Sequence, residues 1–181
     1  MTAARIALLR GVNVGGKAMV SMPALRDMAA ELGLAQPRTV LNSGNLVFQS
    51  GRPAAELEAL LERETARRLG VATSYFVRTA AEWRQAIAAN PFPEAARDDP
   101  GRLLALFLKA APTTETIAAL QGAIKGREQV QAVGRQAYVI FPDGVGRSKL
   151  TPAVIEAKLG KVATTGRNWN TVLKLAGLAG D

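Results

Sequence analysis

An α+β fold built twice over is what this sequence predicts, and three observations predict it. Residues 4–78 read as strand, helix, strand, strand, helix, strand. Residues 103–165 read in the same order, and a closing helix follows. Between them runs Asn90-Pro-Phe-Pro to Pro100-Gly101, a stretch rich in proline and charge that reads as a linker. The 181 residues suit one large domain or two small ones, and they suffice to bury a core.

Each element has a local reason. Ala4–Arg10 is a short apolar run that ends in the Gly-rich loop 11–17, so it reads as a buried strand. Met22–Leu34 has helical spacing, with Met22, Leu25, Met28 or Ala29, and Leu32 on one face. Ser21 is its N-cap, Pro23 suits its first turn, and Gly33 supplies its stop. Arg38–Asn42 and Asn45–Ser50 are strand-like, and Ser43-Gly44 between them reads as a two-residue hairpin turn. Pro53–Leu69 is a long amphipathic helix with Leu57, Leu60, Leu61 and Leu69 inward and Gly70 as its stop. Val71–Arg78 is a strand, and Ala80–Ala89 adds a helix.

In the second half Leu103–Lys109 is a strand, and Thr113–Ile124 is a helix capped by Thr113 or Thr114. Gln129–Val133 and Gln136–Phe141 form a hairpin across Gly134-Arg135. Thr151–Leu159 is a helix with Pro152 in its first turn, Val162–Thr165 a short strand, and Asn170–Leu178 the closing helix. The order is that of the split βαβ, or ferredoxin-like, arrangement. The expected organisation is therefore a tandem: a first ferredoxin-like module over residues 1–90, a linker over 91–101, and a second module over 102–181. The halves share the pattern with little residue identity.

Composition removes several chemistries. The chain has no cysteine and no histidine. Ser-His-Asp and Cys-His catalysis, the usual zinc and copper sites, and haem ligation by these residues are all excluded. A magnesium site of carboxylates stays open, but no metal ligands are assigned and no cofactor is called for. The apolar stretch Ile6–Leu9 is too short for a signal-peptide core or a membrane span, so a cytoplasmic address and no membrane partner are expected.

The net charge is +8, from 23 Lys+Arg and 15 Asp+Glu. Excess positive charge favours phosphate-bearing partners without selecting one. Residues 147–181 carry Arg147, Lys149, Lys158, Lys161, Arg167 and Lys174 against Glu156 and Asp181. This is either a solvated surface or a partner-binding face.

Four polar clusters stand out. Arg10-Gly-Val-Asn-Val-Gly-Gly-Lys17, Asn42-Ser-Gly-Asn45 and Arg167-Asn-Trp-Asn-Thr171 contain no carboxylate. Gly144-Val-Gly-Arg-Ser-Lys-Leu-Thr151 has only Asp143 at its edge. Such clusters donate hydrogen bonds but are poorly equipped for proton transfer. The first matches neither common nucleotide-binding glycine fingerprint. Its glycines either permit a tight connection or shape a concavity for an anion, with Arg10 and Lys17 flanking it. Asn42–Asn45 is a turn first, and a pocket lining second. Ser43 has no histidine or neighbouring lysine to activate it as a nucleophile. Arg147 and Ser148 precede a helix N-terminus, either as a solvated basic loop or as an anion site. Asn168 or Asn170 caps the last helix, while Trp169 is either core or a stacking platform for a base. Aromatic residues are 5% of the chain and no RNA-binding aromatic string is present, which lowers sequence-specific RNA recognition.

Taken together, Ala7-Leu-Leu-Arg-Gly-Val-Asn-Val-Gly-Gly-Lys17, Met22, Leu25-Arg26 and Asn42-Ser-Gly-Asn-Leu-Val-Phe48 resemble the bacterial family called domain of unknown function 1697. Gly146-Arg-Ser-Lys-Leu-Thr151 and Ala163-Thr-Thr-Gly-Arg-Asn-Trp-Asn-Thr-Val172 resemble it too, in the same order. The resemblance implies a tandem α+β fold and brings no activity. From the residues themselves, the expectation is a small anionic, phosphate-containing ligand. Its candidate contacts are Arg10, Asn13, Gly15, Gly16, Lys17, Asn42, Ser43 and Asn45, with Arg147, Ser148, Arg167, Asn168 and Asn170. The alternative is a nucleic-acid-binding protein that uses the basic C-terminal region. Enzymatic activity, catalytic residues and oligomeric state are left open.

Overall fold

The first apolar run forms β1 (Ala3–Leu9), whose last four residues are all buried. The computed structural model describes residues 1–180. By internal contact the chain divides into two units: Met1–Gln85 with the segment from Lys174 onward, and Ala86–Leu173. Each unit carries one four-stranded antiparallel sheet, so the chain is a mixed α/β protein with seven α-helices among the described residues.

The first unit runs β1, α1 (Met22–Glu31), β2 (Ala35–Thr39), β3 (Asn45–Ser50), α2 (Ala54–Leu69), β4 (Tyr75–Thr79) and into α3 (Ala80–Ala88). Its strands lie in the order β2-β3-β1-β4. Strand alternation sends Ala7, Leu9, Leu46, Phe48, Tyr75 and Val77 to one face. There they pack with Leu25 and Met28 of α1 and Leu57 and Leu61 of α2. The opposite face carries Ile6, Leu8, Val47, Phe76 and Arg78, also buried. Ser21 caps α1, its Oγ accepting from Ala24 N at 3.3 Å.

The second unit holds α4 (Pro93–Asp98), β5 (Leu103–Leu108), α5 (Thr114–Gly122), β6 (Gln129–Val133), β7 (Gln136–Ile140), α6 (Pro152–Lys158) and β8 (Thr164–Asn168), then the start of α7 (Trp169–Gly180). Its order is β6-β7-β5-β8. Leu106, Leu108, Ala137 and Val139 meet Leu120 of α5 and Ile155 and Leu159 of the α6 region. Leu103, Ala105, Phe107, Tyr138 and Arg167 are buried on the other face.

Four local readings change. The β2–β3 connection is not a two-residue turn at Ser43-Gly44. Strand β2 ends at Thr39, and the chain loops over residues 40–44 before Asn45. Leu41 and Gly44 both take positive φ there (58° and 81°), which interrupts the extended backbone. Strand β4 starts at Tyr75 rather than Val71. The last pairing bond joins Arg10 N to Ser74 O (3.0 Å), and β1 has no residues left to pair beyond it. Strand β8 runs over Thr164–Asn168 rather than Val162–Thr165, and residues 91–101 carry α4 and the start of a 3-10 turn at Pro100–Arg102.

The outer edge of β4 is closed by side chains. In an antiparallel ladder alternate N–H groups point away from the partner strand. On β4 these belong to Tyr75, Val77 and Thr79. They donate to Glu62 Oε1 (2.9 Å), Glu58 Oε1 (2.8 Å) and Glu82 Oε2 (2.8 Å).

Candidate functional site

The Gly-rich loop is a tight turn before it is anything else. Lys17 N donates to Val14 O at 3.1 Å, and Gly15 and Gly16 have φ of 59° and 73°. Two successive positive φ values are those of a type I′ turn, which glycine adopts without strain. Asn13 then fixes the loop. Its Oδ1 accepts from Val20 N (2.8 Å), and its Nδ2 donates to Val20 O (3.0 Å) and Asn42 O (2.7 Å), with Asn42 Oδ1 at 3.2 Å. One side chain thus ties the first cluster to the second.

Backbone contacts complete the junction. Leu9 N donates to Gly44 O at 2.9 Å. A Cβ on Gly44 would lie 2.6 Å from Val12 Cγ2 and 2.8 Å from Leu9 Cβ, so only glycine allows the two loops to close. Asn45 is fully buried, and its Nδ2 donates to Val40 O (2.8 Å) and Ser43 Oγ (2.9 Å). Thr73 Oγ1 donates to Arg10 O at 2.7 Å, which brings a third loop to the same end of the sheet. Arg10, Gly15, Gly16, Lys17, Asn42 and Ser43 are exposed there, with Asn13 half-buried beneath them.

In the second unit the clusters are more committed to the fold. Ser148 Oγ donates to Glu128 Oε1 and accepts from Leu150 N (2.9 Å). A carboxylate from β6's approach therefore enters a motif that has none of its own. The Ser148 hydroxyl, with backbone amides of the turn, holds the Glu128 carboxyl below the usual range. Asp143 is likewise lowered, first by its hydrogen bond from Arg127 and further by the charges of Arg102 and Arg147. Arg147 and Lys149 are exposed. Thr151 caps α6 through Val154 N (3.3 Å), but α6 is only seven residues long and contributes little dipole.

Arg167 lies on β8 and is only 7% exposed. Its Nη1 donates to Thr165 Oγ1 (2.9 Å) and Gly166 O (2.8 Å), and burial pulls its pKa down to about 10. Trp169 is buried against Tyr138, with ring centroids 6.4 Å apart. It is core, not an open stacking platform. Asn168 is the cap of α7, its Oδ1 accepting from Thr171 N at 3.0 Å, while Asn170 is exposed. Among the described residues Arg147 and Ser148 make no hydrogen bond with Arg167, Asn168 or Asn170.

The chemistry on offer is donation. The exposed groups of these loops are guanidinium, ammonium, amide, hydroxyl and backbone N–H. Among the described residues no three acidic side chains gather to hold a metal ion, and no helix is long and apolar enough to cross a membrane. Sequence reasoning missed Glu128, Thr73 and the β4 glutamates. Their roles depend on partners far along the chain.

A family profile described as a protein of unknown function (DUF1697) matches residues 1–138. No functionally curated protein has a matching sequence. Among solved structures, a conserved bacterial protein from Streptococcus pneumoniae superimposes with a TM-score of 0.78 at 21% identity, with 99% of each chain covered. That likeness is one of fold. A chlorite dismutase candidate of 15% identity, with 98% of each chain covered, reaches a TM-score of only 0.27 and bears on nothing here.

Proposed function

Because the chain belongs to the family of proteins of unknown function designated DUF1697, no activity comes with membership, and we propose from its own residues that it binds a small phosphate-containing anion. The site is the end of the first unit's sheet where loops 10–17 and 42–45 meet. The observation that carries the reading is the Asn13 side chain, which holds both loops together at 2.7–3.0 Å. A clamp of this kind fixes the exposed Arg10, Lys17, Asn42 and Ser43 relative to one another before any ligand arrives. Preorganised donors lose little entropy on binding, and charge-assisted bonds from Arg and Lys are the stronger ones.

We take each unit as a ferredoxin-like module. The strand orders β2-β3-β1-β4 and β6-β7-β5-β8 support it, as do the paired helices on one face of each sheet. The nucleic-acid alternative loses support from the burial of Arg167 and Trp169, two of the groups it would use.

Calorimetry against inorganic phosphate, nucleotides and sugar phosphates tests the proposal. Saturable binding to one or more of these, weakened about tenfold or more by Lys17→Ala with the fold intact, is the expected result. Absence of binding to every member overturns it. With no histidine or cysteine in the chain, affinity for sulfate should stay flat from about pH 6 to 8. An affinity for oligonucleotides that falls steeply with salt, with no affinity for small phosphates, would favour the alternative.

A further inference from the structure

The two units treat their outer strands differently. Ala105 pairs with Arg167 and Leu106 with Gly166, and Lys109 N donates to Ala163 O. By ladder alternation the N–H groups of Thr164, Gly166 and Asn168 point away from β5, as those of Tyr75, Val77 and Thr79 point away from β1. On β4 all three are taken by glutamates. On β8 no acceptor among the described residues takes any of them.

The cause lies in the sequence of the neighbouring helices. Helix α2 has sixteen residues and presents Glu58 and Glu62 one turn apart along β4. Helix α6 has seven, with Glu156 its one acid. At the strand end, Thr79 and Glu82 form a reciprocal box: Thr79 N donates to Glu82 Oε2 (2.8 Å) and Glu82 N to Thr79 Oγ1 (3.0 Å). In the second unit Asn168 caps Thr171 N in the same way, but residue 171 is threonine and returns no bond to Asn168 N. A Cβ on Gly166 would lie 3.2–3.3 Å from the Leu104 and Leu106 side chains, so β8 packs closely against the side chains of β5 there. Thr164 Oγ1, on the same strand, is buried without a hydrogen-bond partner.

We propose that the outer edge of β8 is a docking site for an acidic helix of another protein. Glutamates one turn apart on that helix accept from the N–H groups of Thr164, Gly166 and Asn168; on β4 the first two places are taken by Glu62 and Glu58 of α2, and the third by Glu82 of α3. The surrounding charge fits this occupant. Lys158, at the C-terminal end of α6, and Lys161, on the connection that leads into β8, are both exposed. Bare strand edges also pair with other strands. Here the molecule's own first unit supplies the example of carboxylates filling the row. The inference does not rest on the anion site of the first unit.

The test uses the whole protein and two alanine-based helical peptides, one with glutamates one turn apart and one with glutamines in their place. NMR follows the backbone amides, and calorimetry the affinity. The expected result is a shift of the Thr164, Gly166 and Asn168 amides, and binding about tenfold tighter for the glutamate peptide. The double variant Lys158→Glu, Lys161→Glu should lose that preference while circular dichroism stays native. Equal affinity for both peptides, or shifts confined to other strands, overturns the proposal. So does a dimeric mass with these three amides already protected in the protein alone, which would assign the edge to a second copy.

Discussion

The first unit seals itself with side chains where the second relies on backbone turns. Its β2–β3 loop is packed, with Gly44 wedged against Val12 and Leu9 and Asn45 buried beneath. The matching β6–β7 connection is the short Gly134-Arg135 turn, with Gly134 at φ 59° and only Gln136 Oε1 near a built Cβ. The first unit's second helix is sixteen residues and covers its edge strand; the second unit's is seven and does not. One strand order thus supports two surfaces: a braced sheet end in one unit and a bare strand edge in the other. The lesson is that element order alone does not say where a fold leaves donors exposed.

The largest expected effect separates the two hairpins. Gly44→Ala forces a side chain into a 2.6 Å contact at positive φ, and should destabilise by roughly 3 kcal/mol. Gly134→Ala meets only the strain of positive φ, and should cost about 1 kcal/mol. Chemical denaturation of both variants measures the gap. Similar costs would mean that the first hairpin is not braced.

How much of this was legible in the sequence depends on the range of the interaction. Strand β3 (Asn45–Ser50) and strand β6 (Gln129–Val133) fall where alternation and turn residues place them. The cap Ser21, and the choice of Thr113 or Thr114 for α5, are read from a hydroxyl before a helical pattern; Ser21 and Thr113 accept the amides of Ala24 and Thr116. These are signals carried within a few residues. Arg167 is the opposite case. A lone arginine beside asparagines reads as exposed, yet β8 turns it onto the buried face through a register set by β5. Glu58 and Glu62 read as the solvated side of an amphipathic helix, and only the strand beside them reveals what they accept. In the first sheet end, Asn13 and Asn42 were both legible as polar loop residues. Their mutual clamp across 29 positions was not.

A middle-sized effect probes that clamp. Asn13→Ala removes donors to Val20 O and Asn42 O and the acceptor for Val20 N, and should cost roughly 2 kcal/mol. It should also loosen the loop 10–17 amides in hydrogen exchange. Exchange there as slow as in the native protein would break the claim that Asn13 preorganises the site.

A smaller effect distinguishes the units by pH. Glu64 on α2 is nearly buried among Arg67, Arg68 and Arg63, and their hydrogen bonds hold its pKa down to about 2 from 4.5. A carboxyl lowered in the folded state adds stability above its unfolded value and loses it as pH falls through the folded one. The melting temperature of the native protein should therefore drop between about pH 4.5 and 2 more steeply than that of Glu64→Gln. Parallel curves for the two proteins would show that the cluster contributes nothing.

Amide hydrogen exchange on the unliganded protein tests the contrast between the two edges most directly. The N–H groups of Tyr75, Val77 and Thr79 are held by glutamates, and those of Thr164, Gly166 and Asn168 are not. The account predicts that the first three exchange about a hundredfold more slowly than the second three. Equal protection along β4 and β8 would contradict it.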